Sequence, residues 1–301
     1  MRAQNNLWSK DKEIDFFMKS LQIASPEQLF YLTDDGRYIA YWPKGYKGKK
    51  TTLQSRNAFI GAYTEKWVQE LLKEIAAELN GFAVRGVVCE ELELTKDSPA
   101  DVAICKTNSI FQKPESIIVL FEVKMSVVWN WELIIKNSAN YELKCIGDYK
   151  THDGNPGLLR SDTMLKAIGK SISVRISSLK SARIPIIILG NTPITKSYYA
   201  RVDNLKKYGI IQGFWSLNPK PLDNNGENIK STPEKGFFRF DSFSEFRQFL
   251  LELLSEEKEF FAGMKSKEEL GKIIEIANRE KTYKKKAERF LSLIRGVNED
   301  D

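Results

Sequence analysis

Histidine is almost absent from this 301-residue chain, in which His152 is the single one. One imidazole cannot build a histidine-ligated metal cluster within one chain. A Ser-His-Asp triad would have to use His152, but its surroundings, KTHDGNPG, are typical of a solvent-exposed loop and supply no nucleophile elbow. We therefore expect any chemistry to depend on carboxylates and lysines, alone or with a hard metal ion.

Cysteine and long apolar runs are scarce as well. Cys89, Cys105 and Cys145 show no C-x-x-C spacing, which argues against a disulfide framework or a cysteine zinc site and favours a reducing cytoplasm. No stretch approaches the roughly 20 apolar residues that span a bilayer, and the amino end lacks the apolar segment of a secretory signal. We expect a cytoplasmic protein without membrane contact. The net charge of +6 permits a polyanionic partner without requiring one.

The order of helical and strand patterns predicts an α/β fold with a mixed sheet flanked by helices. An amphipathic helix over GAYTEKWVQELLKEIAAELNG precedes three β-rich runs, FAVRGVVCEELEL, ADVAICK and SIIVLFEVKMSVV. A helix over RSDTMLKAIGKSISVRISSLK, a buried strand over RIPIIILG, a short helix and a final strand over IIQGFWSL follow. Three regions are expected: an amino-terminal region over 1–60, a core over 61–218, and a connector with a helical carboxyl-terminal region over 219–301.

Charged residues appear unexpectedly on an apolar strand in VLFEVK. Because strand side chains alternate, Glu122 and Lys124 share a face that is apolar one step earlier. If this strand pairs antiparallel with DVAIC, Asp101 converges on the same place. Two carboxylates and a lysine at one end of a sheet can hold Mg²⁺ and align a water molecule on a phosphodiester. A buried ion pair that stabilises the sheet explains the same residues without catalysis.

The spacing resembles the PD-(D/E)xK nuclease superfamily, and especially its type II restriction endonucleases. The motif reads Pro99-Ala100-Asp101 and then Glu122-Val123-Lys124, with Ala100 inserted between the proline and the aspartate. The letters alone carry little weight, since D/E-x-K triplets also begin at Glu142, Asp148 and Glu256. The inferred α-β-β-β-α-β order over about 61–190 also looks like the restriction-endonuclease-like core.

The resemblance implies catalytic roles for four residues. Asp101 and Glu122 would be Mg²⁺ ligands, Lys124 would position or activate the attacking water, and Glu65 on the preceding helix would complete the site. It also implies a homodimer that cuts double-stranded DNA, with a cognate DNA methyltransferase in the same system. A repair or junction-resolving nuclease of the same fold remains an alternative, as does a non-catalytic DNA-binding protein with a structural ion network.

Basic residues in two segments are candidate DNA contacts, although ordinary surface positions explain them as well. One set begins the helix after the motif and offers a helix amino terminus with nearby charge: Arg160, Ser161, Lys166 and Lys170. The other set is interleaved with Tyr and Trp: Lys47, Lys49, Lys50 and Arg56. Segment 126–158 is extra to the minimal core, and its period-two apolar pattern fits a core or interface strand or a base-contacting insertion.

Overall fold

The computed structural model describes residues 7–48, 53–137, 140–223 and 228–296. They form two compact units, the first ending at Glu257 and the second beginning at Lys258. The described residues before 61, and those from 219 to 257, therefore belong to the same unit as the predicted core. Lys49 and Lys50 lie outside the described residues.

The first unit alternates helices and strands in an order close to the predicted one. Its helices are α1 (Lys10–Ser20), α2 (Pro26–Leu29), α3 (Gln54–Glu78), α4 (Ser161–Ser177), α5 (Tyr199–Lys207) and α6 (Phe243–Leu254). Its strands are β1 (Tyr31–Leu32), β2 (Tyr38–Ile39), β3 (Phe82–Val87), β4 (Ala100–Cys105), β5 (Ile117–Val123), β6 (Asn130–Asn137), β7 (Asn140–Gly147), β8 (Ile186–Gly190), β9 (Gly213–Ser216) and β10 (Phe237–Arg239).

A six-stranded mixed sheet forms the centre of this unit, as the sequence predicts. Its strand order is β10-β9-β8-β5-β4-β3. The pairs β3–β4 and β4–β5 are antiparallel, whereas β5–β8, β8–β9 and β9–β10 are parallel. From α3 to β8 the order is α-β-β-β-α-β, with the hairpin β6–β7 inserted before α4.

The strand predicted over IIQGFWSL is present as β9, but it is not the final strand, because β10 follows and pairs with it. Strand β10 contains only FFR and follows a turn-rich connector, so it shows no alternation long enough to detect. The first β-rich run is also shorter than predicted: β3 ends at Val87, and a 3₁₀ turn covers Glu90–Leu92.

The two faces of β5 pack against different helices. Val119 and Phe121 belong to the core cluster that includes Leu72 of α3. Leu120 belongs to a second cluster that includes Val174 of α4. Because side chains alternate along the strand, Glu122, two positions after Leu120, points to the α4 side of the sheet.

The segment inserted between β5 and α4 builds a second, four-stranded sheet with the amino-terminal strands. Its order is β1-β2-β6-β7, with all neighbours antiparallel. The apolar residues predicted to be in phase are buried, in agreement with a core strand: Met125, Val127, Trp129, Trp131 and Leu133. They do not continue β5, which ends at Val123.

The prediction that His152 lies in a solvent-exposed loop is wrong. Its ring is buried, stacks on Tyr41 with centroids 3.9 Å apart, and lies 3.2 Å from the Val128 carbonyl through Nε2. Burial lowers the pKa of His152 to about 4. Both partners lie far from His152 in sequence, which is why the loop-like composition around it gave no sign of burial.

The second unit contains α7 (Lys267–Ala277) and α8 (Tyr283–Arg295). Ser242 accepts a hydrogen bond from the Glu245 amide at the start of α6, and Ser266 accepts one from the Glu269 amide at the start of α7. Among the described residues, none of the helices combines the length and apolar character that crossing a membrane requires.

Candidate active site

Two adjacent strands bring the candidate catalytic residues together. In the β4–β5 pair, Val102 lies opposite Phe121, so continuing the antiparallel register by one residue sets Asp101 opposite Glu122. Lys124 follows the last residue of β5, and its backbone N–H donates to the Leu189 carbonyl of β8 at 2.6 Å. The antiparallel pairing assumed from the sequence is therefore correct, and it makes the two carboxylates neighbours.

The ammonium group of Lys124 lies among three oxygens. Its Nζ is 2.5 Å from Glu122 Oε1, 3.3 Å from Asp101 Oδ2 and 3.3 Å from the Val123 carbonyl oxygen. The Val123 amide also donates to Asp101 Oδ2 at 2.7 Å, which fixes the orientation of that carboxylate. Backbone and side chain together hold the cluster in one arrangement.

A second lysine approaches the same carboxylates from helix α4. Lys170 Nζ is 2.8 Å from Glu122 Oε2, 3.6 Å from Asp101 Oδ1 and 2.7 Å from the Pro99 carbonyl oxygen. The structure thus places Lys170, a candidate DNA contact by sequence, against Asp101 and Glu122.

The four charges are largely withdrawn from solvent. The exposed fractions of the side chains are 10% for Glu122, 16% for Asp101, 20% for Lys124 and 24% for Lys170. Burial alone would lower the pKa of Lys124, but the negative charges of Asp101 and Glu122 outweigh it and raise the pKa above its ordinary value. Lys124 is therefore a hydrogen-bond donor and a fixed positive charge in this arrangement.

Glu65 lies on α3, close enough to interact electrostatically with Asp101, Lys124 and Lys170. Burial raises the pKa of Glu65, and the charge of Asp101 raises it further, while Arg85, Lys124 and Lys170 oppose the change. Within the described part of the chain, the Glu65 carboxyl makes no hydrogen bond and no ion pair. A half-buried carboxyl with a raised pKa is a common feature of functional sites.

The oxygen atoms of the cluster suit a hard divalent cation. Mg²⁺ prefers carboxylate and carbonyl oxygens and is commonly held by one or two carboxylates. Asp101 Oδ2, Glu122 Oε1 and the Val123 carbonyl oxygen already converge on one cation, the Lys124 ammonium. Among the described residues, however, no group of three or more His, Cys, Asp or Glu side chains converges as a metal site, so Glu65 does not share one with the pair here.

A cleft of about 730 Å³ opens beside the cluster. Lys124 and Val123 lie on its wall, whereas Asp101 and Glu122 lie behind them. Other parts of the wall come from the start of α3, from the loop 153–157 and from the start of α4. Tyr31 of β1 and Tyr41, two residues after β2, also line it, a contribution that the sequence did not reveal.

Two of the predicted DNA contacts are exposed on this wall. Arg160 and Lys166 have exposed side-chain fractions of 60% and 73%, and each lies near Asp162, at 3.7 Å and 3.2 Å. Ser161 is exposed at the first position of α4. The basic groups around the cleft are thus partly neutralised by Asp162 but accessible to a polyanion.

The residues of the other predicted set of DNA contacts lie in different environments. Lys47 is exposed. Arg56 is only 5% exposed, and its guanidinium donates to the carbonyls of Leu29 and Ala40. Arg56 also lies over the ring of Tyr41, with 4.9 Å from Cζ to the centroid. Its donors are engaged within the protein, so Arg56 supports the cleft wall instead of standing on an exposed loop as expected.

Comparisons with protein-family models, with curated proteins and with solved structures gave no match to this chain.

Proposed function

We propose that the protein is a Mg²⁺-dependent, sequence-specific endonuclease of double-stranded DNA, of the type II restriction kind on a PD-(D/E)xK core. The observation that carries this proposal is the convergence of Asp101, Glu122 and the Val123 carbonyl on the ammonium group of Lys124, a residue of the cleft wall. Burying charged carboxylates and lysines to this degree costs free energy, and groups buried in this way are concentrated at functional sites.

Each residue has a distinct part in the proposed reaction. Asp101, Glu122 and the Val123 carbonyl would hold Mg²⁺, which when bound supplies charge stabilisation at the scissile phosphate. Lys124 donates a hydrogen bond and so orients the attacking water or a non-bridging phosphate oxygen. Glu65 adds a carboxyl beside the cluster. Water then attacks phosphorus in line with the leaving oxygen, whose bond to phosphorus breaks.

The surroundings of the site fit a polyanionic substrate. Arg160 and Lys166 lie on the cleft wall and would contact phosphates of the bound DNA. Tyr31 of β1 and loop 153–157 line the same cleft and are candidates for base contacts. We further propose that the protein acts as a cytoplasmic homodimer on a symmetric site, alongside a cognate DNA methyltransferase that protects the host sequence.

The direct test is incubation of the purified protein with unmethylated plasmid DNA and Mg²⁺. Discrete fragments are expected, and Lys124→Ala should lower the cleavage rate about 100- to 10,000-fold while DNA binding persists. The matched control is Lys144→Ala, which alters another E-x-K triplet whose Glu142 pairs with Lys136 on the exposed hairpin. Lys144→Ala should cleave like the wild type.

Plasmids from several unmethylated sources that all stay intact would contradict the restriction-enzyme proposal. Cleavage confined to branched or damaged DNA would indicate instead a repair or junction-resolving nuclease of the same fold. Equal loss of activity in Lys124→Ala and Lys144→Ala would show that the site lies elsewhere.

One observation favours a second candidate, a non-catalytic DNA-binding protein. The two carboxylates are already paired with two ammonium groups, which is the arrangement of a structural ion network. Removing one partner from such a network typically costs about 3–5 kcal/mol, because an unpaired charge stays buried. Intact DNA binding without any cleavage, together with such a loss of stability in Asp101→Asn, would support this candidate.

A further inference from the structure

The two lysines contact opposite edges of the same pair of carboxylates. Lys124 contacts Glu122 Oε1 and Asp101 Oδ2, whereas Lys170 contacts Glu122 Oε2 and Asp101 Oδ1. Each ammonium also has one backbone carbonyl, that of Val123 for Lys124 and that of Pro99 for Lys170. The pair therefore presents two cation positions, each built from three oxygens.

This pattern has the form of a two-metal centre. In such centres two divalent ions stand about 3.5–4 Å apart and share bridging carboxylates. Here the positions differ in their access to the substrate. Lys124 lies on the wall of the large cleft, whereas Lys170 and Glu122 border a separate cavity of about 20 Å³, roughly the room that one water molecule needs.

The position held by Lys170 is firmly anchored as well. Its ammonium is tied to the Pro99 carbonyl at 2.7 Å and to Glu122 at 2.8 Å, and its stem rises from the long helix α4. A divalent ion at this edge would have to displace Lys170, and neither Lys170 nor Glu122 is among the residues that line the large cleft. A positive charge left there also repels a second cation through the shared carboxylates.

We propose that Lys170 permanently takes the place of a second metal ion, so that the site binds one divalent cation, at the cleft-facing edge. Lys170 is then a positioning residue that holds the two like-charged carboxylates together and leaves Oε1 and Oδ2 for the ion. This inference rests on the proposed function, because it assumes that the carboxylates bind metal.

The test is the stoichiometry of Mn²⁺ binding to the full-length chain, measured by calorimetry and by electron paramagnetic resonance. Ions bound elsewhere are subtracted with the double variant Asp101→Asn, Glu122→Gln. The wild type should bind a single ion at the carboxylates. Lys170→Met, which keeps the apolar stem but removes the charge, should bind a second ion, and Lys170→Arg should restore the single ion.

Lys73→Met is the matched control, since Lys73 pairs with Glu70 on the exposed face of α3 and has no part in the proposed site. It should bind Mn²⁺ like the wild type. Two ions in the wild type would overturn the proposal, as would a Lys170→Met variant with unchanged stoichiometry or the absence of Mn²⁺ binding at the carboxylates. The wild-type measurement decides the question even if Lys170→Met does not fold.

The proposed endonuclease activity and the role of Lys170 fail in different ways. One bound ion without cleavage of any DNA would contradict the endonuclease and leave the role of Lys170 intact. Cleavage by a wild type with two bound ions would contradict only the role of Lys170.

Discussion

His152 shows how a single buried side chain can set the pH response of the protein. Its ring is held between the Tyr41 ring and the Val128 carbonyl, and burial lowers its pKa to about 4 from an ordinary 6.5. The nearby charge of Arg56 acts in the same direction, whereas Asp148 opposes it. The folded protein therefore keeps His152 neutral at pH values where the unfolded chain binds a proton.

The sign of the effect follows from this difference. The stabilising contribution of neutral His152 is complete above pH 6.5 and is lost as the pH falls towards 4. A difference of 2.5 pKa units corresponds to about 3 kcal/mol. We predict that the advantage of the wild type over His152→Phe shrinks by about this amount between pH 7 and pH 4, as measured by urea unfolding. If the free energies of unfolding of the wild type and of His152→Phe changed equally with pH, the prediction would be contradicted.

Residue-level prediction from the sequence succeeded where neighbours along the chain carry the information. The spacing of two between Glu122 and Lys124 was enough to place both at one site, and Asp101 followed from simple strand pairing. Lys166 and Lys170 could not be told apart in this way. They share a helix face, yet one reaches the carboxylates and the other the cleft, a difference that depends on how α4 packs on the sheet.

At the scale of elements, a buried carboxylate connects α1 to the segment between β5 and β6. Glu13 Oε1 accepts from Trp8 Nε1 and the Val128 amide, and Oε2 accepts from Trp131 Nε1 and the Trp129 amide. Burial raises the pKa of Glu13 to about 7, while these four donors favour the charged form. Because four N–H groups face the two oxygens, this position requires a side chain that only accepts hydrogen bonds.

We predict that Glu13→Gln lowers the free energy of unfolding by about 2 kcal/mol. The amide NH₂ would face N–H donors on one side of the carboxyl position and leave them without an acceptor. Glu70→Gln on the exposed face of α3 should change stability by less than about 0.5 kcal/mol. The measurement is urea unfolding of both variants at pH 8, and an equal effect of the two would contradict the prediction.

The elements were predictable in proportion to their length. Helix α3 and strand β5 repeat their pattern often enough for the period to be recognised, and two capping serines marked the starts of α6 and α7. Strands β1, β2 and β10 contain only two or three residues. Such short strands form only because a neighbouring strand pairs with them, and the sequence does not reveal which strand that is.

At the scale of the whole molecule, helix α4 leaves an apolar stripe exposed on the side away from the sheet. Leu165, Ile172 and Ile176 are exposed there, with Leu179 just beyond the helix. Together they present on the order of several hundred Å², more than single scattered apolar residues explain. The added Cβ of Gly169 would meet nothing within 4 Å, so a neighbouring backbone can approach closely at this point.

We propose that a second copy of the chain covers this stripe in the homodimer. The same stripe on two copies is self-complementary across a two-fold axis, and it supplies the apolar centre of an interface of about 800 Å² per partner. Because Lys170 on the same helix contacts Glu122, this pairing would also bring the two proposed active sites near each other.

Ile176→Glu is predicted to convert the dimer into a monomer at micromolar concentration, as measured by sedimentation equilibrium. A charge at the centre of an apolar interface is desolvated without a partner. The control is Ile23→Glu, because Ile23 is 75% exposed and Ile176 76%, but Ile23 lies outside the stripe. A wild type that is monomeric at all concentrations, or a dimer that survives Ile176→Glu, would contradict the interface.

The division of the strands between two sheets also has a consequence for the order of folding. In the central sheet, Phe82 pairs with Cys105 and Val102 with Phe121, so the strands that carry Asp101 and Glu122 meet by closing short loops. In the other sheet, Tyr38 pairs with Leu133, which closes a far longer loop at a larger entropic cost. The carboxylates are thus expected to meet early, and the cleft that gives access to them forms only when the ends of this long loop have joined.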